Sequence, residues 1–84
     1  MRFSTRAEAA LRRNGGRITR ARRALLQLIE RSQRPLLPRE LQSLLQAQGV
    51  RMDRVSVYRN LGALLELGLL QGAQVAVEIG RAHV

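Results

Sequence analysis

The sequence predicts a mainly α fold with a small β-hairpin, a winged helix-turn-helix of four helices followed by a two-stranded wing. Three observations carry that expectation. Apolar residues recur at helical spacing in four short stretches, each ended by a glycine or proline break. The last of these, Asp53 to Gly68, buries a leucine face while presenting an arginine, a tyrosine and small polar groups on the other side. Beyond Gly68 the spacing changes to that of strands.

Taken in order, Thr5-Arg6-Ala7-Glu8 matches a capping box, with Thr5 as cap and Glu8 reaching back. A first helix is therefore expected over 6–13, basic on its outer side through Arg6, Arg12 and Arg13 and stopped by Asn14-Gly15-Gly16. Thr19 starts a second helix over 20–31, with Leu25, Leu28 and Ile29 as its buried stripe and Leu26 beside them. Arg20, Arg22 and Arg23 crowd its first turns, where they oppose the helix dipole. A phosphate bound at that end would account for them; solvated surface charge is the other reading. Ser32 to Leu37 form a loop containing Pro35, and Pro38 fits the first position of a third helix. Its apolar stripe is Leu41, Leu44 and Leu45, and Gly49 ends it. Leu37 stands at the cap position without a capping group, so this helix begins poorly.

In the fourth helix Asp53 is the N-cap and Gly68 the stop. Val57, Leu61, Leu64 and Leu65 form the apolar face, and Val55, Arg59, Gly62 and Glu66 point the opposite way. Tyr58 lies on one flank, Ser56 and Asn60 on the other. A recognition helix needs this design, because its N-terminal residues reach base edges in the major groove, but an ordinary amphipathic surface helix has the same periodicity. Gly62 costs about 1 kcal/mol relative to alanine in mid-helix; it either permits close approach to DNA or is a tolerated defect. The third and fourth helices read as helix-turn-helix-like, their connection being long. Leu69–Val77 and Arg81–Val84 are the two expected strands, around Glu78-Ile79-Gly80. The sequence stops inside or just after the second strand, which suggests a fragment of a longer protein.

Eighty-four residues suffice for one small domain, 1–84, with a core of leucine, isoleucine, valine and alanine, since Phe3 and Tyr58 are the only aromatic residues. Fifteen basic residues, all arginine, against six acidic ones give a net charge of +9. An excess of this size predicts a polyanionic partner, nucleic acid or an anionic membrane. Arginine suits phosphates and guanine edges because its planar fork donates two hydrogen bonds at once. With no cysteine, disulfides and thiolate metal sites are excluded. The N-terminus has no hydrophobic signal core and no apolar run reaches about 18 residues, so the expectation is a cytoplasmic protein without a membrane span. An enzyme is not expected: there is one histidine and no carboxylate pair at useful spacing, and His83 reads as a strand side chain. The leading function is sequence-specific binding of double-stranded DNA by a transcription regulator. The alternative is a small arginine-rich RNA-binding protein. A membrane-active cationic peptide fits the interrupted helices poorly.

Gly16-Arg17-Ile18-Thr19, Arg20-Ala21-Arg22-Arg23-Ala24-Leu25-Leu26, Val55-Ser56-Val57-Tyr58-Arg59-Asn60-Leu61 and Leu67-Gly68-Leu69 resemble the N-terminal DNA-binding domain of the ferric uptake regulator family. The resemblance spans about Arg12 to Val84. It implies a repressor of metal homeostasis in which a winged-helix domain is joined to a C-terminal dimerisation domain that carries the metal ligands. Tyr58 and Arg59 match the family's DNA-contacting pair, and Arg17 matches a basic residue that approaches the minor groove or the backbone. Ser56 and Asn60 lie beside the pair. With Thr19, Arg20 and Arg22 these are the expected DNA-binding residues. The sequence departs from the family in its third-helix loop, where Ser32-Gln33-Arg34-Pro35-Leu36-Leu37 offers no histidine, and the downstream histidine and cysteine segments are absent. No cofactor is therefore expected in these residues, although zinc or iron is expected in a full-length member. The residues given should form a monomer or weak dimer, and a homodimer if joined to a C-terminal domain.

Overall fold

The computed structural model describes residues 2–32 and 34–70. Over these the chain forms α1 (Phe3–Arg13), α2 (Arg20–Arg31), α3 (Pro38–Ala47) and α4 (Arg54–Glu66). Helix α1 packs on α2, α2 on α3 and α3 on α4. The core is aliphatic, as the composition requires. Leu25 and Leu26 of α2, Leu41 and Leu45 of α3, and Val57, Leu61 and Leu64 of α4 are at most 1% exposed. Helix α1 adds Ala7 and Leu11, and Leu36, Val50 and Leu70 close the cluster from the connections. Each such leucine contributes roughly 1.5–3 kcal/mol by burial.

Helices α2, α3 and α4 fall where the apolar spacing puts them, whereas the start of α1 does not. It begins at Phe3, so Thr5 lies exposed inside the first turn instead of capping it. The free N–H of Ser4 donates to Glu30 Oε1 at 2.8 Å, so a carboxylate from α2 takes the capping role. Glu8 is also occupied elsewhere, since Arg23 donates to both of its oxygens at 3.1 and 3.4 Å. The stripe of α3 also differs. Leu44 is 41% exposed, and Pro38, Leu41 and Leu45 form the buried face. Leu28 and Leu65 sit half-buried at the margin of the core. The start of α3 is better held than Leu37 suggests, because Glu40 Oε1 accepts the Leu37 N–H at 2.8 Å, one half of a capping box.

Helices α1, α3 and α4 close alike. In α4 the Gly68 N–H donates to the Leu65 carbonyl and the Leu69 N–H to the Leu64 carbonyl, at 3.1 and 2.9 Å. In α3 Gly49 and Val50 do the same to Gln46 and Leu45, both at 2.9 Å. Both glycines have positive φ, 73° and 77°, the left-handed conformation this closure demands. The expected wing lies, from residue 71 onward, outside the described residues, as does His83.

Candidate nucleic-acid interface

The N-terminal ends of α2 and α4 open onto one cleft of about 590 Å³. Both ends are capped by the residues the sequence offers. The Thr19 hydroxyl accepts the Arg22 N–H at 3.0 Å, and Asp53 Oδ1 accepts the Ser56 N–H at 2.8 Å. Hydrogen bonds from the Ser56 side chain and backbone hold the Asp53 carboxyl below its ordinary range, and the charge of Arg59 adds to them. Each helix start carries the positive end of a helix dipole, so the cleft collects two of them together with the side chains of Arg17, Arg22 and Arg51.

Of the eight expected DNA-binding residues, Arg17, Thr19, Arg22, Ser56 and Asn60 line this cleft. Arg20, Tyr58 and Arg59 do not. Arg20 and Arg59 are exposed and Tyr58 is half-buried on the opposite flank of α4. The arginines that look alike in sequence separate in space. Arg17 and Arg20 point side chains with no hydrogen-bond or ion-pair partner among the described residues. Arg22 Nε donates to Asn60 Oδ1 at 2.5 Å and its Nη1 to the Arg17 carbonyl at 2.9 Å. Arg23 pairs with Glu8 at 3.1 Å, and Arg12 reaches the same carboxylate at 3.9 Å. Arg51, which sequence reasoning missed, stands exposed on the cleft rim; its position in the turn just before the Asp53 cap was the available signal. Arg54 Nε donates to Gln42 Oε1 at 3.0 Å and ties α4 to α3.

Among the described residues no three His, Cys, Asp or Glu side chains come together. No helix among them is long and apolar enough to cross a membrane.

Comparison with curated proteins and with solved structures gives no match. The model of the ferric uptake regulator family matches residues 13–81. That stretch takes in the loop before α2, the capped starts of α2 and α4, the cleft between them and Tyr58-Arg59, so the residues expected to bind DNA all fall inside it. On this match over most of its length, the chain belongs to the ferric uptake regulator family, a family of regulators.

Proposed function

We propose that the chain is the DNA-reading part of a transcriptional repressor, with α4 as the recognition helix in the major groove of double-stranded DNA. The observation that supports this reading most is the meeting of two capped helix starts in one arginine-lined cleft, beside the exposed Arg59. In this reading Arg59 forks onto a guanine edge or clamps a phosphate, and Tyr58 contacts DNA beside it. Arg17 and Arg20 neutralise phosphates flanking the helix, and Thr19 and Ser56 stand at the helix starts where backbone N–H groups favour an anion. Phosphate contacts position the domain and base contacts specify the site.

The test is a gel-shift titration of duplex DNA, with structured RNA as competitor. With one recognition helix per molecule, we expect Kd on the order of 10⁻⁴ to 10⁻⁶ M at physiological salt. Affinity should fall by about 0.9 log units per log unit of salt for each phosphate neutralised. Equal competition by RNA, or a flat salt dependence, would overturn the reading.

A further inference from the structure

Arg22 lies in the first turn of α2, and its guanidinium is held from two directions. Nε donates to Asn60 Oδ1 on α4 at 2.5 Å, and Nη1 donates to the Arg17 carbonyl in the loop before α2 at 2.9 Å. Asn60 is fixed in turn, since its Nδ2 donates to the Ser56 carbonyl at 2.8 Å. Gly16 leaves room for the arrangement. A Cβ there would lie 3.1 Å from Arg22 Nη1 and 3.0 Å from the Leu11 carbonyl oxygen. Arg22 and Asn60 are both half-buried.

We propose that Arg22 and Asn60 are positioning residues, which set α4 against the loop over 16–19 instead of touching nucleic acid. The proposal rests on the DNA-binding reading above. An asparagine reads adenine by offering its carbonyl and amide together, and here the carbonyl already faces Arg22 while the amide faces Ser56. The loop carries Arg17 and α4 carries Arg59, so one guanidinium fixes the spacing of two proposed DNA contacts before DNA arrives. Such preorganisation raises affinity by removing an ordering cost at binding. Lysine cannot substitute, because a single ammonium lacks the planar fork that reaches Asn60 and the Arg17 carbonyl at once.

The experiment measures duplex affinity across salt for the wild type, Arg22→Lys, Arg22→Ala, Asn60→Ala and the double variant Arg22→Lys/Asn60→Ala. Arg22→Lys and Arg22→Ala should weaken binding alike, on the order of tenfold, with the salt slope kept at the wild-type value. The double variant should be no weaker than the weaker single, because both act through one tie. Rescue by lysine, with a slope reduced by about 0.9 in Arg22→Ala, would make Arg22 a direct phosphate contact and overturn the proposal. Additive losses would overturn the coupling to Asn60. A second readout needs no DNA. In the unbound protein, Arg22→Lys and Asn60→Ala should each speed amide hydrogen exchange over 16–19 and 54–60 and leave α3 protected. Unchanged exchange in α4 would overturn the tie, whereas failure of the wild type to bind duplex, with the exchange result intact, would overturn only the DNA reading.

Discussion

At the start of α2, Thr19 caps the helix with its own hydroxyl, and Arg17 and Arg20 stand exposed beside it without partners among the described residues. At the far end of the same helix, acidic groups do the work. Glu30 accepts the Ser4 N–H of α1, and just beyond it Glu40 accepts the Leu37 N–H of α3 and two bonds from Arg34, at 3.2 and 2.8 Å. Both ends solve one problem, the unsatisfied N–H groups at helix starts. The cleft end solves it with two neighbouring side chains and leaves cations over. The far end solves it with carboxylates, of which Glu40 also pairs with Arg34, while Glu30 lies near the charges of Arg2 and Arg31. Arg17 and Arg20 are thus left without a partner among the described residues at the cleft end, and in the reading proposed above they are the groups that meet DNA phosphates.

The largest expected effect comes from cutting the core that joins the two ends. Leu61 is 1% exposed between α4 and the rest of the core, and Leu61→Ala should remove about 2–5 kcal/mol. That is a large share of the roughly 5–15 kcal/mol available to a small domain. Urea denaturation followed by hydrogen exchange should show both ends of α2 losing protection together; survival of the far end alone would mean that the ends are separate units. Next in size is Arg59→Ala, on the outer face of the same helix. It should weaken duplex binding by about 1–3 kcal/mol and relax preference at one position if Arg59 reads a base, or weaken all sequences equally if it holds phosphate. The urea midpoint should not move. Binding unchanged on every probe would remove Arg59 from the interface.

These ends also differ in how far they could be read from sequence. Thr19 and Asp53 cap the helices that follow them directly, and Gly49 and Gly68 stop the helices just before them, so α2, α3 and α4 were legible from local chemistry. The cap of α1 comes from Glu30, 26 residues away, and a good local box at Thr5 lost to it. Leu44 fits the helical period of α3 as well as Leu45 does, but only one of the two faces the core. The site shows the same division. Arg22 was named as a DNA contact from its place at a helix start and Asn60 from its place beside the Tyr58-Arg59 pair of the family resemblance, but nothing in the sequence pairs two residues 38 positions apart. Arg22 and Arg23 are neighbours of one type, yet one meets an amide on α4 and the other a carboxylate on α1. Tyr58 and Arg59 came from the family resemblance, because periodicity alone makes α4 only an amphipathic helix.

A smaller effect tests the locally capped end. Thr19→Ala removes the acceptor of the Arg22 N–H and should cost about 1 kcal/mol. Thermal melting should register it, and the start of α1, held by Glu30, should keep its exchange protection. Loss of that protection would show that the far end depends on the cleft end.

The smallest effect tests the carboxylate end by acid. Arg34 first, and then the Leu37 N–H, hold the Glu40 carboxyl down at about 2, against an ordinary value of 4.5. Ser4 holds Glu30 below its ordinary range in the same sense, through hydrogen bonds from its side chain and backbone. A depressed value means that the unfolded chain takes up the proton first. The stabilisation from Glu40 is thus complete above about pH 4.5 and is lost progressively as pH falls towards about 2. Both groups meet solvent, so screening keeps the loss small. Urea midpoints measured from pH 7 to pH 2 should decline across that window in the wild type and less steeply in Glu40→Gln, which has no proton to take up at that position. The Asp53 carboxyl is also held below its ordinary range, and it belongs to the cleft end. An Asp53→Asn variant separates the two contributions. If Glu40→Gln keeps the full acid slope while Asp53→Asn flattens it, the acid response lies at the start of α4, and the division of labour along α2 is wrong.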